Sequence, residues 1–396
     1  MFIGENLLNL RIMNGYSRRQ LAEMIKVSEQ AVWQYENDYT SPKLHSLNEL
    51  KTIFNVKAPY FFNEDVLTRY ATKEKIPLMN IAYRSSTMNY ISKTQTEAKY
   101  LAYLQAFIEY TTNDLSIPTH PIIELRNKCI EYLNKTDDSR FEQINYVAKM
   151  ARYSLQLDEY SNENLLFSVE KSGIFVFEKA IGENIDAYSL WTEDDYAFII
   201  LGNLKRSAVR RNFDIAHELG HLLLHYKMEF TQLDKAEHRQ IENEADLFAG
   251  AFLLPEEPIK EELIKIERKT NPDAYLDLKE KWQVSIQVLG YRAMHLGILT
   301  KREHRNFYVA LHRRNYLKEE PLDLIIAIQR PQKIKTIFNL VVEKSIIDFN
   351  RMLDIDWRVD IEFLYKLTGI DLDFFKNYLP KQKDLQEKFV QSISFK

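Results

Sequence analysis

The chain has 396 residues, of which 45% are hydrophobic and 28% charged, a composition typical of folded globular proteins and not of disordered or fibrous ones. Its length favours roughly two or three domains. The formal net charge of −4 excludes a uniformly basic nucleic-acid-binding surface but allows one neutral or locally basic DNA-binding domain. The single cysteine, Cys129, excludes a disulfide framework and a zinc site built on several thiolates. Any metal site must therefore use histidine and carboxylate ligands.

The N-terminus lacks the pattern of a signal peptide, because Glu5 stands where positive charges are expected and no long apolar run follows. Apolar runs such as residues 198–201 are far too short to cross a bilayer. Together with the lone cysteine, these features predict a cytoplasmic protein that has no membrane partner. The small numbers of glycine (10) and proline (11) predict a mainly helical fold.

The first 66 residues have the apolar spacing of several short amphipathic helices. Ser17 and Ser28 each stand at the N-cap position before such a helix. Two short helices joined by a tight turn at residues 26–27 predict a helix-turn-helix DNA-binding domain. We assign residues 1–66 to this domain and the charged segment 67–80 to a linker.

The second of these helices should present its N-terminal residues to double-stranded DNA, because glutamine pairs with adenine and alanine contacts the thymine methyl group. Arginines at the start of the preceding helix suit phosphate contacts. The predicted DNA-binding residues are Arg18, Arg19, Ser28, Glu29, Gln30, Ala31 and Gln34. Residues 1–62 carry seven basic and six acidic side chains, a net charge of only +1, so we expect specific binding to need a homodimer or a partner. A protein-docking module is the alternative, and Trp33 and Tyr35 fit either the core or a contact surface.

Short β-branched and aromatic runs between residues 165 and 203 predict a small sheet. The runs cover residues 165–169, 173–177 and 197–201. Helical spacing returns after them and persists almost to the last residue. We therefore expect a mainly α protein with a small β-sheet.

The pentapeptide from His217 to His221 has the spacing of a metal site. Residues four apart on a helix lie about 40° apart around its axis, so both imidazoles face one ion. Glu218 sits beside them, where a general base is needed. The alternative is a buried amphipathic helix whose two histidines are satisfied by structural hydrogen bonds.

A catalytic metal needs a third protein ligand, and Glu242 on a second predicted helix is our assignment. Asp246 shares its face and suits the carboxylate that accepts a ring N–H from a ligating histidine. Glu244 lies about 200° from Glu242 around the axis and is expected to face solvent. His238 is a rival ligand, and His225 is expected to pack beside the site.

These residues predict peptide-bond hydrolysis, in which Glu218 takes a proton from water and passes it to the leaving amine. Two histidines and one carboxylate accept Zn²⁺, which we expect, and also Mn²⁺ or Fe²⁺.

Residues 1–62 resemble the Cro/C1-type, xenobiotic-response-element helix-turn-helix proteins. The matching positions are Leu10-Arg11, Gly15-Tyr16-Ser17, Leu21-Ala22, Val27-Ser28, Glu36-Asn37, Pro42 and Leu47. The sequence departs from that pattern at Asp38, where a glycine is usual, and this affects a small local turn.

Residues from about 81 to 310 resemble the ImmA/IrrE metallopeptidases. The matching stretches include Ala82-Tyr83-Arg84, residues 185–189, residues 211–216 leading into the pentapeptide, residues 245–249, 253–255, 282–285 and 292–297. The Glu-x-x-Ala-Asp arrangement is also similar to the third-ligand motif of gluzincins. The resemblance implies a zincin-like α+β domain over residues 81–315. The helical spacing that follows predicts a helical C-terminal extension of unknown role over residues 316–396.

The two resemblances together imply a regulator that cleaves a repressor-type protein and thereby relieves repression. The alternative hypothesis is a sequence-specific transcription factor whose peptidase-like domain is a non-catalytic sensor or dimerisation scaffold.

Overall fold

The protein is described by a computed structural model that covers residues 1–64, 66–67, 82–83, 91–115, 120–179, 187–202, 207–230 and 233–379. The described part is mainly helical with one small sheet, as the sequence predicts. Within these ranges no helix combines the length and the apolar character needed to cross a membrane. Except for Leu67, the predicted linker 67–80 lies outside the described residues.

The helices are α1 (Gly4–Met13), α2 (Arg18–Met24), α3 (Glu29–Glu36), α4 (Leu44–Phe54), α5 (Ile91–Thr112), α6 (Pro121–Lys135), α7 (Arg140–Ser154), α8 (Leu165–Lys171), α9 (Ala208–Leu224), α10 (Lys235–Leu253), α11 (Glu256–Ile264), α12 (Leu276–Trp282), α13 (Ile286–His295), α14 (Lys301–Arg313), α15 (Lys333–Glu343), α16 (Phe349–Arg351), α17 (Ile361–Thr368) and α18 (Leu372–Lys376). Short 3₁₀ turns cover Ala58–Phe62 and Pro272–Tyr275, and a π turn covers Met352–Asp356. The strands are β1 (Ala82–Tyr83), β2 (Phe175–Lys179), β3 (Ala187–Trp191) and β4 (Ala197–Gly202).

The chain divides into two compact units. The first contains the described residues of segments 1–74, 91–116 and 335–396, and the second contains those of segments 75–90 and 117–334. Neither unit is continuous in sequence. This division differs from the sequence-based one, which treats residues 316–396 as a single extension.

The helix-turn-helix segment of the first unit has the predicted caps. The Ser17 hydroxyl accepts a hydrogen bond from the backbone N–H of Gln20, whose side chain accepts one from the Ser17 N–H. The Ser28 hydroxyl accepts one from the N–H of Ala31 at the start of α3. Lys26 has a φ of 54°, which turns the chain sharply between α2 and α3. The local sequence therefore sets both helix starts and the turn between them.

Asp38 occupies the turn in which a glycine is usual. It adopts a left-handed φ of 60°. Its Oδ1 accepts a hydrogen bond from the backbone N–H of Gly4 at 2.6 Å, which satisfies one of the otherwise unpaired N–H groups at the start of α1. The side chain thus supplies a cap that a glycine lacks, and the turn is kept.

The rest of the first unit comes from segments far apart in sequence. The Tyr100 hydroxyl on α5 donates a hydrogen bond to the backbone oxygen of Leu367 on α17 at 2.8 Å. Val56, after α4, forms an antiparallel bridge with Val359. Contacts of such long sequence separation leave no trace in the periodicity of either segment. The sequence therefore predicts these helices but not their association.

The second unit contains the sheet, whose strand order is β1-β3-β4-β2. Strand β3 is antiparallel to both β1 and β4, whereas β2 runs parallel to β4. The predicted runs 173–177 and 197–201 overlap β2 and β4. The strand predicted over residues 165–169 is wrong, because this run lies in α8 with Phe167 63% exposed. A short apolar run fits a buried strand and a helix equally well.

Helices α9 and α10 pack closely on each other, and α10 also packs on α7. A β-carbon on Gly220 in α9 would lie 3.0 Å from a ring carbon of Phe248 in α10. The absence of that carbon lets the two helices approach, and so brings the side chains of α10 within reach of the histidines of α9.

Candidate metal centre

Two neighbouring helices supply the predicted metal ligands. His217 and His221 lie one turn apart on α9, and both are almost fully buried. Glu242 lies on α10, whose start is fixed by a capping box between Asp234 and Glu237. Both segments are regular helices. Residues four apart in sequence therefore lie one turn apart on the same face of the helix.

The structure brings these three side chains together. Nε2 of His217 lies 3.0 Å from Nε2 of His221. The two oxygens of Glu242 lie 3.5 Å from these nitrogens, Oε2 from His217 and Oε1 from His221. In a search of the described residues for possible metal sites, these three side chains form a group whose ligand atoms all lie within 4.8 Å of one another. His238, the rival ligand in the sequence, is not part of it.

Asp246 lies where the sequence places it, beside His217. Its Oδ1 is 2.8 Å from Nδ1 of His217. Since a carboxylate oxygen accepts, the ring nitrogen donates, and the proton of a neutral His217 is on Nδ1. The Nε2 lone pair of His217 is then directed at His221 and Glu242.

The expectation that Glu244 faces solvent is wrong. Its carboxylate is largely buried, and Oε2 lies 3.1 Å from Nε2 of His225 and 2.5 Å from a guanidinium nitrogen of Arg140 on α7. Gln240 donates a further hydrogen bond to Oε1 at 3.1 Å. A helical wheel gives the angle between two residues but not the neighbours around the helix, and α10 is packed against both α9 and α7.

His225 connects Glu244 to the ligand set. It is the residue after the last turn of α9, and its Nδ1 lies 3.0 Å from Nδ1 of His221. The sequence correctly places His225 beside the site, but its partner Glu244 was missed. Two features of the sequence indicate this pair. His225 follows His221 by one helical turn, and Glu244 follows Glu242 by two residues.

The electrostatics keep His221 and His225 neutral and Glu242 and Glu244 ionised. Burial lowers the pKa of His221 to about 3 and also lowers that of His225. Burial would raise the pKa of Glu242, but the adjacent imidazoles of His217 and His221 outweigh it and lower that pKa. Hydrogen bonds from His225 and Arg140 likewise outweigh burial and lower the pKa of Glu244 to about 2. Neutral imidazole and ionised carboxylate are the forms that bind metals.

This donor set fits a divalent transition metal. The Nε2 lone pairs of His217 and His221 and the carboxylate of Glu242 converge on one point, and lone pairs that face each other repel unless a cation lies between them. Two imidazoles and one carboxylate are the protein ligands of many catalytic zinc sites. The cluster is therefore chemically suited to hold the ion that the sequence predicts.

Glu218, the predicted general base, accepts a hydrogen bond from a residue of the sheet. Its Oε2 accepts a hydrogen bond from the Ser189 hydroxyl on β3 at 2.6 Å, and its side chain is buried. Ser189 was assigned no role in the sequence, because contact between a strand and a helix 29 positions later has no local signal. A small cavity beside this strand is lined by Ser189, Leu190, Trp191, His221, Leu222, His225, Lys227 and Phe230.

In the first unit, the start of α3 carries the predicted DNA-reading residues. Ser28, Glu29 and Gln30 are exposed, and Ala31 and Gln34 are half-buried. Tyr35 is in the core, whereas Trp33 is 41% exposed and stacks on Tyr39.

The two arginines predicted to contact phosphate both have partners in the protein. Nε of Arg18 donates to the buried carboxylate of Glu36 at 2.6 Å, and Nε of Arg19 donates to Glu23 at 3.0 Å. Arg19 remains the more exposed of the two and Arg18 is half-buried.

Comparison with known proteins assigns both regions. Residues 7–61 match the helix-turn-helix family model, and residues 169–294 match that of the IrrE N-terminal-like domain. The chain combines these two domains. A relative, the HTH-type transcriptional regulator ImmR of Bacillus subtilis (strain 168), is 28% identical over 80 residues, which are 20% of this chain and 61% of that protein. The chain therefore spans less than two thirds of that relative.

The IrrE N-terminal-like domain contains every residue of the cluster described above except Arg140. Its matched range begins in α8 and ends in α13, so it includes β3 with Ser189, all of α9 and all of α10. The contact from Arg140 on α7 thus comes from a helix that precedes the matched range.

Proposed function

We propose that this protein is a DNA-binding transcriptional regulator whose IrrE N-terminal-like domain is a metal-dependent endopeptidase that cleaves a repressor-type protein. The convergence of His217, His221 and Glu242 beside Glu218 carries the enzymatic part of this proposal. A bound Zn²⁺, or Mn²⁺ or Fe²⁺ in its place, would supply Lewis acidity toward water and toward the scissile carbonyl.

The protein's own residues have distinct roles in this reaction. His217, His221 and Glu242 would hold the metal, and Asp246 would orient His217 by accepting its Nδ1 proton. Glu218 takes a proton from the attacking water and gives it to the leaving amine. Ser189 holds one oxygen of that carboxylate in position.

The helix-turn-helix domain supports the regulatory part of the proposal. Gln30 is exposed at the start of α3, where it can reach base edges in the major groove, and Gln34 lies one turn further along. The named function of the relative ImmR, a transcriptional regulator, supports the same role. The near-neutral charge of this domain favours binding as a homodimer.

The proposal is tested by incubating the metal-loaded full-length protein with each purified helix-turn-helix repressor encoded beside its gene. We expect one pair of fragments from one repressor, detected by mass spectrometry. Glu218→Gln should lower the cleavage rate at least about 100-fold while the metal content is unchanged. Glu257→Gln, which changes an exposed glutamate of the same domain, is the matched control. Equal cleavage by the wild type and Glu218→Gln would contradict the proposal.

A transcription factor with a non-catalytic metal domain is the second candidate. The burial of Glu218 and its hydrogen bond with Ser189 favour it, because a carboxylate with a structural partner does not need to act as a base. A promoter-reporter experiment separates the two candidates. If Glu218→Gln preserves promoter control while Gln30→Ala and Gln34→Ala abolish it, the non-catalytic role is correct.

A further inference from the structure

We propose that His225, Glu244 and Arg140 form a relay that positions His221 for metal binding. This inference rests on the proposed metal centre and names positioning residues that neither the domain match nor the ligand spacing assigns. The two ligating histidines are oriented in different ways. The Nδ1 atom of His217 contacts a carboxylate directly, whereas the Nδ1 atom of His221 contacts one through a second imidazole.

The positions of the protons follow from the hydrogen bonds. An ionised Glu244 only accepts, so Nε2 of His225 carries the proton that lies between them. A neutral His225 then has a bare Nδ1, which can only accept. The Nδ1 of His221, 3.0 Å away, must therefore be the donor. The proton of His221 is fixed on Nδ1, and its Nε2 lone pair is directed at the metal.

Burial and charge hold this relay in one state. The side chains of His221 and His225 are almost completely excluded from solvent, so water does not replace their hydrogen bonds. Arg140 binds the same oxygen of Glu244 as His225 does, which keeps that carboxylate charged and fixed. The relay thus ends in an ion pair with α7, outside the helices that carry the metal ligands.

The relay predicts an order of effects on the affinity for Zn²⁺, measured by competition with a chromogenic chelator. His225→Phe keeps a planar ring but removes the acceptor for His221, and we expect it to weaken Zn²⁺ binding about 10- to 100-fold. His225→Asn places an amide oxygen near the former Nδ1 and should restore affinity to within about 3-fold of wild type. Glu244→Gln should have an intermediate effect. His312→Phe, an exposed histidine of α14, is the matched control.

A spectroscopic measurement tests the same relay without any substitution. The ¹⁵N chemical shifts of the histidine rings in the zinc-loaded protein should show His225 protonated on Nε2 and bare on Nδ1. This readout does not depend on the folding of a variant or on peptidase activity. A purely structural role of His225 would lower thermal stability without changing Zn²⁺ affinity.

Three results would overturn the inference. His225 protonated on Nδ1 would reverse the direction of the hydrogen bond to His221. Wild-type affinity in a folded His225→Phe protein would remove the positioning role but leave the metal centre intact. A wild-type protein that binds no Zn²⁺, Mn²⁺ or Fe²⁺ would remove the proposed metal centre, and the relay with it.

Discussion

The hydroxyl of Ser189 on the inner strand β3 donates a 2.6 Å hydrogen bond to the carboxylate of Glu218 on α9. Both side chains are buried, so the loss of the donor leaves a buried acceptor without this partner. We expect Ser189→Ala to lower the free energy of unfolding by about 1.5–3 kcal/mol, measured by denaturant titration. The double variant Ser189→Ala/Glu218→Ala, together with the two single variants, closes a thermodynamic cycle. Additive effects of the two substitutions would show that the contact is energetically unimportant.

Metal content gives the most direct test of the ligand set. We expect the wild type to bind one equivalent of a transition metal and His217→Ala to bind none, because two remaining ligands hold the ion weakly. A chelator should lower the thermal midpoint of the wild type, since an ion bound only to the folded state stabilises it. His238→Ala changes the rival histidine on α10 and should keep the full equivalent. Metal retained in His217→Ala would disprove the assignment.

A buried amide connects three segments of the second unit. Nδ2 of Asn162 donates to the backbone oxygens of Leu253 at 2.9 Å and of Trp282 at 2.7 Å. Asn162→Ala leaves two buried carbonyl groups without this donor, and we expect it to destabilise the protein by about 2–4 kcal/mol. Asn134→Ala, at an exposed position on α6, should change the free energy of unfolding by less than about 0.5 kcal/mol. Similar effects of both substitutions would contradict this role.

The single cysteine should be inert in the folded protein. Burial raises the pKa of the Cys129 thiol from 9.0 to about 12, so the reactive thiolate is nearly absent at pH 8. We expect no reaction with Ellman's reagent until the protein is unfolded. Because the unfolded thiol ionises at lower pH than the folded one, this group should lower stability as the pH rises from about 9 to 12. Rapid labelling of native protein would contradict the burial.

The salt dependence of DNA affinity distinguishes residues that read bases from residues that contact phosphate. We expect Gln30→Ala to lower the affinity for the specific operator by about 1–3 kcal/mol while leaving non-specific DNA binding unchanged. Arg19→Ala should weaken both kinds of binding and reduce the slope of affinity against salt concentration by about one unit. Fluorescence anisotropy at several salt concentrations measures both effects. Equal loss of specific and non-specific binding in Gln30→Ala would remove its reading role.

Local rules predicted the parts of the structure that depend on neighbouring residues. The caps at Ser17 and Ser28 and the meeting of His217 with His221 follow from spacing along one helix. The prediction that Glu242 lies close to His217 and His221 required one further assumption, that a second helix packs beside the first. Residues 165–169 were mispredicted because their pattern fits two structures.

Local rules do not predict contacts between side chains that belong to different helices or strands. The prediction that Glu244 faces solvent is wrong because its partners, His225 and Arg140, belong to two other elements. Ser189 had no signal for the same reason. The sequence therefore predicts that the side chains of His217, His221 and Glu242 come together, but it does not predict the residues that hold them in place.

The non-contiguous first unit has a consequence for synthesis on the ribosome. The bridge between Val56 and Val359 cannot form until the later residue has left the exit tunnel. At translation rates of about 5–20 residues per second, synthesis of the chain between Val56 and Val359 takes roughly 15–60 s. During this interval the nascent chain exposes apolar surface that the finished unit covers, so molecular chaperones have a defined window in which to act.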